Sequence, residues 1–325
     1  MTGVAVVIPN WNSRDLLERC LDSLSAQPPA ELVVADNGSR DDSLDILRRR
    51  NVDHVALPQN VGFARAVNLA AARTSSDFVL VLNVDTTVEP GAFEHLSKTL
   101  AGDPGLGGVQ PRILQAGSHP TRIYSAGQRL LRDGRAIEIG AGEQDGPAFR
   151  VGREVFGVCG AACLLRRELF TDLGGYEERY FSFYEDVELN ARAQLAGWRF
   201  RYVPEAVISH VGNAVWESAA PRPSAFNARL VGRNRLATDI KVMPGRSAPR
   251  ILIAELGSVA RSMRYGTLAA TLSGKLAAAR WLPRLLRERR QISPNQRARV
   301  IEPWLANDPW LSRSSLTPTT RRRRA

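Results

Sequence analysis

The sequence has few cysteines, and those it has form no paired pattern. Cys20, Cys159 and Cys163 are an odd number without regular spacing in 325 residues. We therefore expect no disulfide framework, and we expect the protein to function in a reducing compartment. No second Cys or His pair stands near Cys159 and Cys163 at the spacing of a zinc site. We expect these two residues to be small members of the core.

Long apolar runs are missing as well. No stretch reaches the roughly 18 apolar residues that span a bilayer. The first residues, MTGVAVVIPN, carry neither the basic region nor the long apolar region of a secretory signal peptide. We therefore expect a cytoplasmic protein.

Two common nucleotide-binding motifs are also absent. No GxGxxG follows the first predicted strand, which removes support for a dinucleotide-binding oxidoreductase. No GxxxxGK[ST] occurs either, which argues against a P-loop nucleotidase.

The positive charge is confined to one end of the chain. The net charge is +11, but residues 246–325 hold 17 Lys and Arg against 4 Asp and Glu, a net of +13. Residues 1–245 hold 27 against 29, a net of −2. An enzyme acting on nucleic acid usually carries its charge around the active groove. We therefore expect no nucleic-acid partner.

Short apolar runs alternate with helical patterns in the first 110 residues. Runs of branched residues predict buried strands at Val4–Ile8, Glu31–Ala35, Val52–Leu57 and Phe78–Leu82. The segments between them predict helices at Asp15–Ser25, Ser43–Arg50 and Ala64–Arg73. This alternation predicts an α/β fold with a Rossmann-like, mostly parallel sheet flanked by helices.

The rest of the chain is less regular. Residues 112–150 are rich in Gly, Arg and Asp with weak periodicity, which predicts a partly irregular insertion or flap. Later segments predict helices at Arg167–Leu173 and Glu185–Ala196 and strands at Phe200–Val203 and Ala206–Ser209. Past Pro244 the composition turns to Arg, Ala and Leu. We predict one domain over residues 1–245 and a basic helical tail over 246–325, with its last residues disordered.

Polar clusters follow three of the predicted strands. They are PNWN at 9–12, DNGS at 36–39 and NVD at 83–85. Each cluster alone could be turn chemistry, since Asn, Asp, Gly and Ser favour turns. Three of them at the ends of successive strands favour a ligand site, because parallel sheets bind ligands beyond the carboxyl ends of their strands.

Taken in order, several segments resemble glycosyltransferase family 2, which has the GT-A fold. They are VVIPNWN at 6–12, VVADNGS at 33–39, QNVGFARAVNLA at 59–70, LNVD at 82–85, a long stretch at 160–206 and ISH at 208–210. The segment YFSFYEDVELNARAQLAGW is most similar to bacterial rhamnosyltransferases of cell-wall and surface polysaccharide assembly. The resemblance covers about residues 3–240. It implies a catalytic domain with a nucleotide-binding half over about 1–110 and an acceptor half over about 111–245.

The resemblance implies a divalent cation, Mn²⁺ or Mg²⁺, held by Asp85 and His210. Asp85 matches the last acidic residue of the family's Asp-x-Asp motif, whose first member here is Asn83. Such a cation neutralises a leaving diphosphate. Imidazole suits Mn²⁺ better than Mg²⁺. The alternatives are a helix cap for Asp85 and an ordinary core residue for His210.

An acceptor hydroxyl needs a base, because an alcohol is a poor nucleophile at neutral pH. Glu185 and Asp186 open a predicted helix, and adjacent helical residues point roughly 100° apart, so only one can face the sugar. By resemblance we assign Asp186 as the base and Glu185 as a sugar contact. A capping role is the alternative. The aromatic residues of the preceding segment, 180–184, could form a sugar platform or belong to the core.

Nucleotide-sugar binding falls to residues after the first strands and in the third predicted helix. By resemblance Asp36 accepts the N3–H of uracil or thymine. Arg65, in the stretch Gly62-x-x-Arg65, can pair with the diphosphate or a base carbonyl, and the alternative for it is a solvated helix residue. Asn68 lies on the same helical face as Arg65, and Asn83 offers a carbonyl oxygen. The other predicted pocket residues are Pro9, Asn10, Asn12 and Asn37.

The expected reaction is an inverting sugar transfer. The preferred donor is dTDP-L-rhamnose, and the acceptor is a hydroxyl of a lipid-linked or surface glycan such as a polyprenyl-linked chain. Two alternatives stay open. One is a UDP-hexose donor, and the other is a non-catalytic module that binds sugar nucleotides or polysaccharide.

The tail predicts a membrane-surface anchor. From Ile251 to Leu286 apolar residues are interspersed with arginines, and those at 280, 284 and 287 share a helical face. The leucines at 282, 285 and 286 fall mainly on another face, beside Trp281. A basic amphipathic helix lies in an anionic lipid interface, and Arg321–Arg324 would add attraction. We expect peripheral attachment to the inner face of the plasma membrane. The alternative is packing on the catalytic domain or in a dimer.

Overall fold

The computed structural model describes residues 3–212 and 224–306. The four arginines at 321–324 and the end predicted to be disordered lie outside the described residues.

The first part of the chain forms a parallel sheet with its helices in the predicted order. In the sheet the strands stand β3-β2-β1-β4, all parallel. Along β1, Val6 and Ile8 pack into one apolar cluster and Val7 into another, because successive strand residues face opposite sides of a sheet. The elements are β1 (Val4–Asn10), α1 (Arg14–Ser25), β2 (Glu31–Asp36), α2 (Ser43–Arg49), β3 (Asp53–Ala56), α3 (Phe63–Ala71) and β4 (Phe78–Leu82).

The following part extends the same sheet. Strand β11 runs antiparallel between β4 and β6, and β12 runs parallel to β6. The predicted α/β fold is confirmed. The elements are β5 (Thr86–Val88), α4 (Ala92–Ala101), β6 (Leu106–Gln115), β7 (Ile123–Ser125), β8 (Gln128–Leu130), β9 (Ala136–Glu138), β10 (Arg153–Val155), β11 (Ala162–Arg166), α5 (Arg167–Asp172), α6 (Glu185–Leu195) and β12 (Arg199–His210).

One prediction for this part was wrong in detail. The two strands expected at 200–203 and 206–209 are one strand, β12, with a register shift between Val203 and Val207. Pro204 stands in this shift and has no N–H to give to a neighbouring strand.

Residues 112–150 are partly irregular, as predicted, with the short strands β7, β8 and β9 separated by turns. Ile123, Leu130 and Phe149 of this segment are buried, so it packs on the rest of the molecule.

Residues 224–306 form five further helices, and most of them pack on the rest of the molecule. They are α7 (Ala225–Val242), α8 (Ala248–Arg264), α9 (Leu268–Arg280), α10 (Leu282–Arg290) and α11 (Pro294–Ile301). Helix α9 crosses α7 at Gly274, where a Cβ atom would lie 2.2 Å from the Arg229 carbonyl oxygen. Helix α11 binds α6 through Gln296, which donates to the Leu195 carbonyl at 3.0 Å. The division of the chain at residue 245 stays a prediction.

The tail is not one continuous amphipathic helix. Helix α9 ends at Arg280, and α10 begins two residues later. Leu285, expected on an outer apolar face, is buried with Tyr180 and Ala237. Leu282 and Leu286 are exposed as expected. Within 3–212 and 224–306, no helix combines the length and apolar character needed to cross a bilayer.

Candidate functional site

The neighbouring strands β1 and β2 bring two predicted nucleotide-binding residues together. Their parallel register sets Asn10 opposite Asp36. Asn10 Nδ2 donates to Asp36 Oδ2 at 3.0 Å, and the Ser39 N–H donates to Asp36 Oδ1 at 3.0 Å. Asn10 Oδ1 is buried and has no hydrogen-bond partner among the described residues. Each carboxylate oxygen of Asp36 can accept more than one hydrogen bond, so this pair keeps acceptor capacity for a ligand.

The residues around this pair also shape the loops, as the turn interpretation expected. Asn12 has a left-handed backbone, with φ of 50°, and its Oδ1 accepts from the Arg40 N–H at 2.8 Å. Asn37 accepts from the Val61 N–H at 2.8 Å and donates to the Gly62 carbonyl at 3.2 Å. Pro9 is half-buried near the end of β1. Turn formation and ligand binding are therefore compatible roles for these residues.

The two predicted residues of α3 contact the acceptor half of the chain. Arg65 is exposed and lies 3.7 Å from the Glu178 carboxylate. Asn68 Nδ2 donates to the Tyr176 carbonyl, and Asn68 Oδ1 accepts from the Tyr176 N–H, both at 2.9 Å. No hydrogen bond joins either residue to Asn10 or Asp36 within the described residues. Their contact with the donor stays a prediction.

The two predicted metal ligands lie side by side. Strand β5, which follows Asp85, pairs antiparallel with the end of β12. His210 Nε2 consequently lies 2.9 Å from Asp85 Oδ1 and 3.5 Å from Asn83 Nδ2. His210 is buried, and the Tyr124 ring packs edge-on against it with centroids 4.4 Å apart.

This geometry fits a divalent cation. Adjacent ligands of an octahedral ion at about 2.1 Å lie about 3 Å apart. The Asp85–His210 separation of 2.9 Å matches that value. A carboxylate and an imidazole form a donor set suited to Mn²⁺. The ring nitrogen His210 Nδ1 is buried without a partner in the described part of the chain. The other ring nitrogen, Nε2, faces the Asp85 carboxylate and is the one that a cation at this site would meet.

The predicted catalytic carboxylates begin α6 and differ in exposure. Glu185 is buried, and burial together with the charge of Asp186 raises the pKa of Glu185 to about 8. Asp186 is half-exposed and accepts hydrogen bonds from the Gly160 N–H at 2.9 Å and the Val187 N–H at 2.8 Å. Burial nevertheless raises the pKa of Asp186. Of the two carboxylates, Asp186 is therefore the more accessible, and its role as the base stays a prediction.

Two polar residues that the sequence did not single out contact Asp186. Gln128 Nε2 donates to Asp186 Oδ2 at 2.8 Å and to Glu138 Oε1 at 3.0 Å. Side-chain atoms of Glu138, Cys159 and Asp186 lie within 4.8 Å of one another. That spacing would also suit a metal ion, but Gln128 and backbone N–H groups already bind these carboxylates. Both residues come from 112–150, where weak periodicity gave no signal for a site.

A strained loop precedes these carboxylates. Phe181, Phe183 and Tyr184 all have positive φ, which costs a non-glycine residue about 1–3 kcal/mol. Asn234 of α7 binds this loop with its Nδ2 atom, which lies 2.9, 2.9 and 2.7 Å from the carbonyl oxygens of Tyr180, Ser182 and Phe183. The sequence gave no signal for Asn234, because its role depends on a contact more than 50 residues away.

The C-terminal helices support the same loop from the other side. The Trp281 ring stacks on Tyr180 with centroids 6.3 Å apart and planes 7° apart. Glu288 of α10 pairs with Arg179 and Lys241, each at 3.1 Å. Tyr180 is therefore a core residue, whereas Phe183 is 38% exposed and stays a candidate for sugar stacking.

The amino-acid sequence is similar to those of known glycosyltransferases. The sequence profile of Glycosyl transferase family 2 matches residues 5–174, just over half of the chain. A protein named N-acetylglucosaminyl-diphospho-decaprenol L-rhamnosyltransferase, from Mycobacterium tuberculosis (strain ATCC 25618 / H37Rv), is 31% identical over 238 residues. That match covers 65% of this chain and 76% of the relative. An N-acetylglucosaminyltransferase from Rhizobium sp. (strain N33) is 30% identical over 63% of this chain and 47% of its own length.

Solved structures show the same fold. The crystal structure of GalNAc-T7 with UDP, GalNAc and Mn²⁺ matches 93% of this chain and 56% of its own chain, with a TM-score of 0.66 and 15% identity. A mannosyltransferase from Pyrobaculum calidifontis, in complex with GDP-Man and Mn²⁺, matches 92% and 84%, with a TM-score of 0.52 and 20% identity.

Proposed function

Because this chain belongs to glycosyltransferase family 2, we propose that it is an inverting transferase that moves a sugar from a nucleotide donor to an acceptor hydroxyl. The observation that carries the proposal is the arrangement of Asp186. It is a half-exposed carboxylate held by two backbone N–H groups, with a raised pKa. A general base needs access, a fixed orientation and a proton affinity above that of an ordinary carboxylate.

In the proposed reaction Asp186 accepts the proton of the acceptor hydroxyl. The acceptor oxygen then forms a bond to the anomeric carbon of the donor as the bond from that carbon to the diphosphate oxygen breaks. The nucleoside diphosphate leaves with the electron pair, and the anomeric configuration inverts. Asp85 and His210 would hold a divalent cation, which neutralises charge on the leaving diphosphate when bound. The Mn²⁺ in both solved structures supports this assignment.

The preferred donor is dTDP-L-rhamnose, and the preferred acceptor is a lipid-linked glycan. The name of the Mycobacterium tuberculosis relative supports both choices. At the base pocket, Asp36 and the unpartnered Asn10 Oδ1 would accept the N3–H of thymine. The Rhizobium relative supports the alternative of a UDP-hexose donor, which offers the same N3–H. A non-catalytic binding module is less favoured, because it needs neither a base nor a metal pair.

A panel of donors tests this choice. Thermal unfolding is followed with Mn²⁺ and, in turn, dTDP-L-rhamnose, UDP-glucose, UDP-N-acetylglucosamine and GDP-mannose. A ligand that binds only the native state raises the unfolding temperature. We expect the largest rise with dTDP-L-rhamnose. A larger rise with a UDP-hexose would replace the donor, and a rise without turnover on any acceptor would favour the binding module.

We also propose that the enzyme docks on an anionic lipid surface through one face of α8. Four large apolar side chains of α8, at 61–69% exposure, point to solvent, and we call them the α8 face: Leu252, Ile253, Leu256 and Met263. On the opposite side Glu255 pairs with Lys275, and Ser262 is buried. The helix thus turns polar residues toward the protein and apolar residues outward, which is typical of an interfacial helix.

Charge favours lipid over a second copy as the occupant. Helices α8–α10 also expose several arginines, at positions 250, 261, 264, 280, 284, 287 and 290. The two acidic residues of α8–α10, Glu255 and Glu288, are both in ion pairs. Each cation near an anionic leaflet contributes roughly 1 kcal/mol, whereas two copies of this surface would repel each other.

Vesicle flotation tests the docking surface. We expect the protein to float with vesicles of phosphatidylcholine and phosphatidylglycerol, and to float less at high salt or with phosphatidylcholine alone. Changing all four residues of the α8 face to Gln should abolish flotation. Val151→Gln is the matched control, because Val151 is 66% exposed outside the tail. Unchanged flotation of the α8 variant, or a change in its oligomeric mass instead, would refute lipid docking.

A further inference from the structure

We propose that Glu138 and Gln128 set the basicity of Asp186, so that Glu138 is a positioning residue that acts through the base. This inference rests on the function proposed above. Its basis is a hydrogen-bonded chain in which one amide group binds two carboxylates. These hydrogen bonds place a second acidic side chain, Glu138 of β9, beside Asp186, which accepts the proton.

The geometry fixes the two carboxylates relative to each other. The two hydrogens of the Gln128 amide go to Glu138 and Asp186, at 3.0 and 2.8 Å. Gln128 Oε1 in turn accepts from Asn190 Nδ2 at 2.8 Å, which prevents the amide from turning. Ser125 Oγ binds the other oxygen of Glu138. These hydrogen bonds hold each side chain of the series in one orientation. Oxygen atoms of the Glu138 and Asp186 carboxylates lie within 4.8 Å of each other.

Besides Gln128 of β8, the groups that face Glu138 come from three other parts of the chain. Asp186 faces it from α6, Ser125 and Tyr124 from β7, and the Cys159 thiol from the segment before β11. Burial raises the pKa of the Cys159 thiol and of the Tyr124 hydroxyl, so both stay neutral at working pH. Two charges therefore vary near Asp186 around neutral pH: that of Glu138, and that of Glu185, whose pKa burial and the charge of Asp186 raise to about 8. Only Glu138 shares the Gln128 amide with Asp186.

The order in which the pair loses its protons follows from these contacts. Asp186 ionises first, because two backbone N–H groups and Gln128 stabilise its charged form. Burial, and then the charge of Asp186, raise the pKa of Glu138 to about 7. When Glu138 ionises, its charge increases the proton affinity of Asp186. The base becomes stronger near neutral pH, where proton transfer from an alcohol needs it.

The test is the dependence of kcat/KM on pH, with saturating Mn²⁺. The wild-type rate should rise through an apparent pKa near 7 that belongs to the pair. In Glu138→Gln the second carboxylate is gone. The apparent pKa through which the rate rises should therefore fall by about one pH unit or more, with a several-fold lower rate at pH 8. In Gln128→Met the charged form of Asp186 loses a hydrogen-bond donor, so this apparent pKa should rise instead.

A control and a second variant separate the possible failures. Glu143→Gln removes an exposed carboxylate from the same segment and should leave the profile unchanged. Thermal unfolding and dTDP binding show that each variant is folded. If Asp186→Asn is inactive and Glu138→Gln keeps the wild-type profile, the role of Glu138 is wrong and the proposed function stands. If Asp186→Asn stays active, the proposed base itself is wrong.

Discussion

Replacing Asn234 should loosen the loop that precedes Glu185 and Asp186, the proposed catalytic carboxylates. In Asn234→Ala the carbonyl oxygens of Tyr180, Ser182 and Phe183 lose their shared donor. The Asn234 Nδ2 atom has two hydrogens shared among these three oxygens. At about 1 kcal/mol for each of two lost hydrogen bonds, the free energy of unfolding should fall by about 2 kcal/mol. The loop would then relax the positive φ angles at its end, and Asp186 would lose its fixed orientation. Turnover should therefore fall more than stability alone explains.

The assay combines urea unfolding with steady-state kinetics. Urea unfolding followed by circular dichroism gives the change in stability, and kcat and KM are measured where both proteins are fully folded. Asn227→Ala, in the first turn of the same helix, is the control and should change stability by less than about 0.5 kcal/mol. The dTDP affinity should be unchanged, because the proposed base pocket lies at β1 and β2 rather than in this loop. A loss below about 0.5 kcal/mol, or normal kcat in a destabilised Asn234→Ala protein, would refute the role of this clamp.

Three further predictions concern the metal, the base pocket and the tail. Chelation should abolish transfer, and Asp85→Ala or His210→Ala should raise the Mn²⁺ concentration needed for activity; full turnover of metal-free protein in EDTA would contradict this. Asp36→Ala should weaken dTDP and UDP binding alike by about 1–3 kcal/mol in calorimetry, and unchanged affinity would remove Asp36 from the pocket. Burial disfavours the charge of Glu288, but its cationic partners outweigh burial and lower its pKa to about 2. This stabilisation is present above the unfolded pKa and lost as pH falls toward 2, so Glu288→Gln should be less stable than wild type at pH 7 by a margin that closes below about pH 4.

The sheet and the convergence of the strand ends followed from the sequence because both depend on local patterns. Branched apolar runs identified β1, β2 and β4, and parallel strands necessarily bring Asn10 and Asp36 to one edge. Local patterns could not predict the pairing of Asp85 with His210, because it depends on β12 lying beside β5 in the sheet. The family resemblance supplied that link.

The support around Asp186 could not be predicted, because it depends on packing between distant segments. Glu138 and Gln128 lie in a stretch with neither a helical nor a strand period. Asn234 is one polar residue in a helix without a clear apolar face. Leu285 was predicted on the same helical face as Leu282 and Leu286, which are exposed. It is a core residue because it packs with Tyr180, a contact that the sequence pattern does not reveal.

The central claim is that Asp186 is the base of a sugar transfer, and single-site turnover tests it most directly. Transfer from radiolabelled dTDP-L-rhamnose to a polyprenyl-diphosphate-linked glycan is measured for wild type, Asp186→Asn and Glu185→Gln, with Mn²⁺ present. We predict product with wild type and a loss on the order of 10²-fold or more in Asp186→Asn, with donor binding retained. Near-normal turnover of Asp186→Asn, together with an inactive Glu185→Gln, would contradict the account.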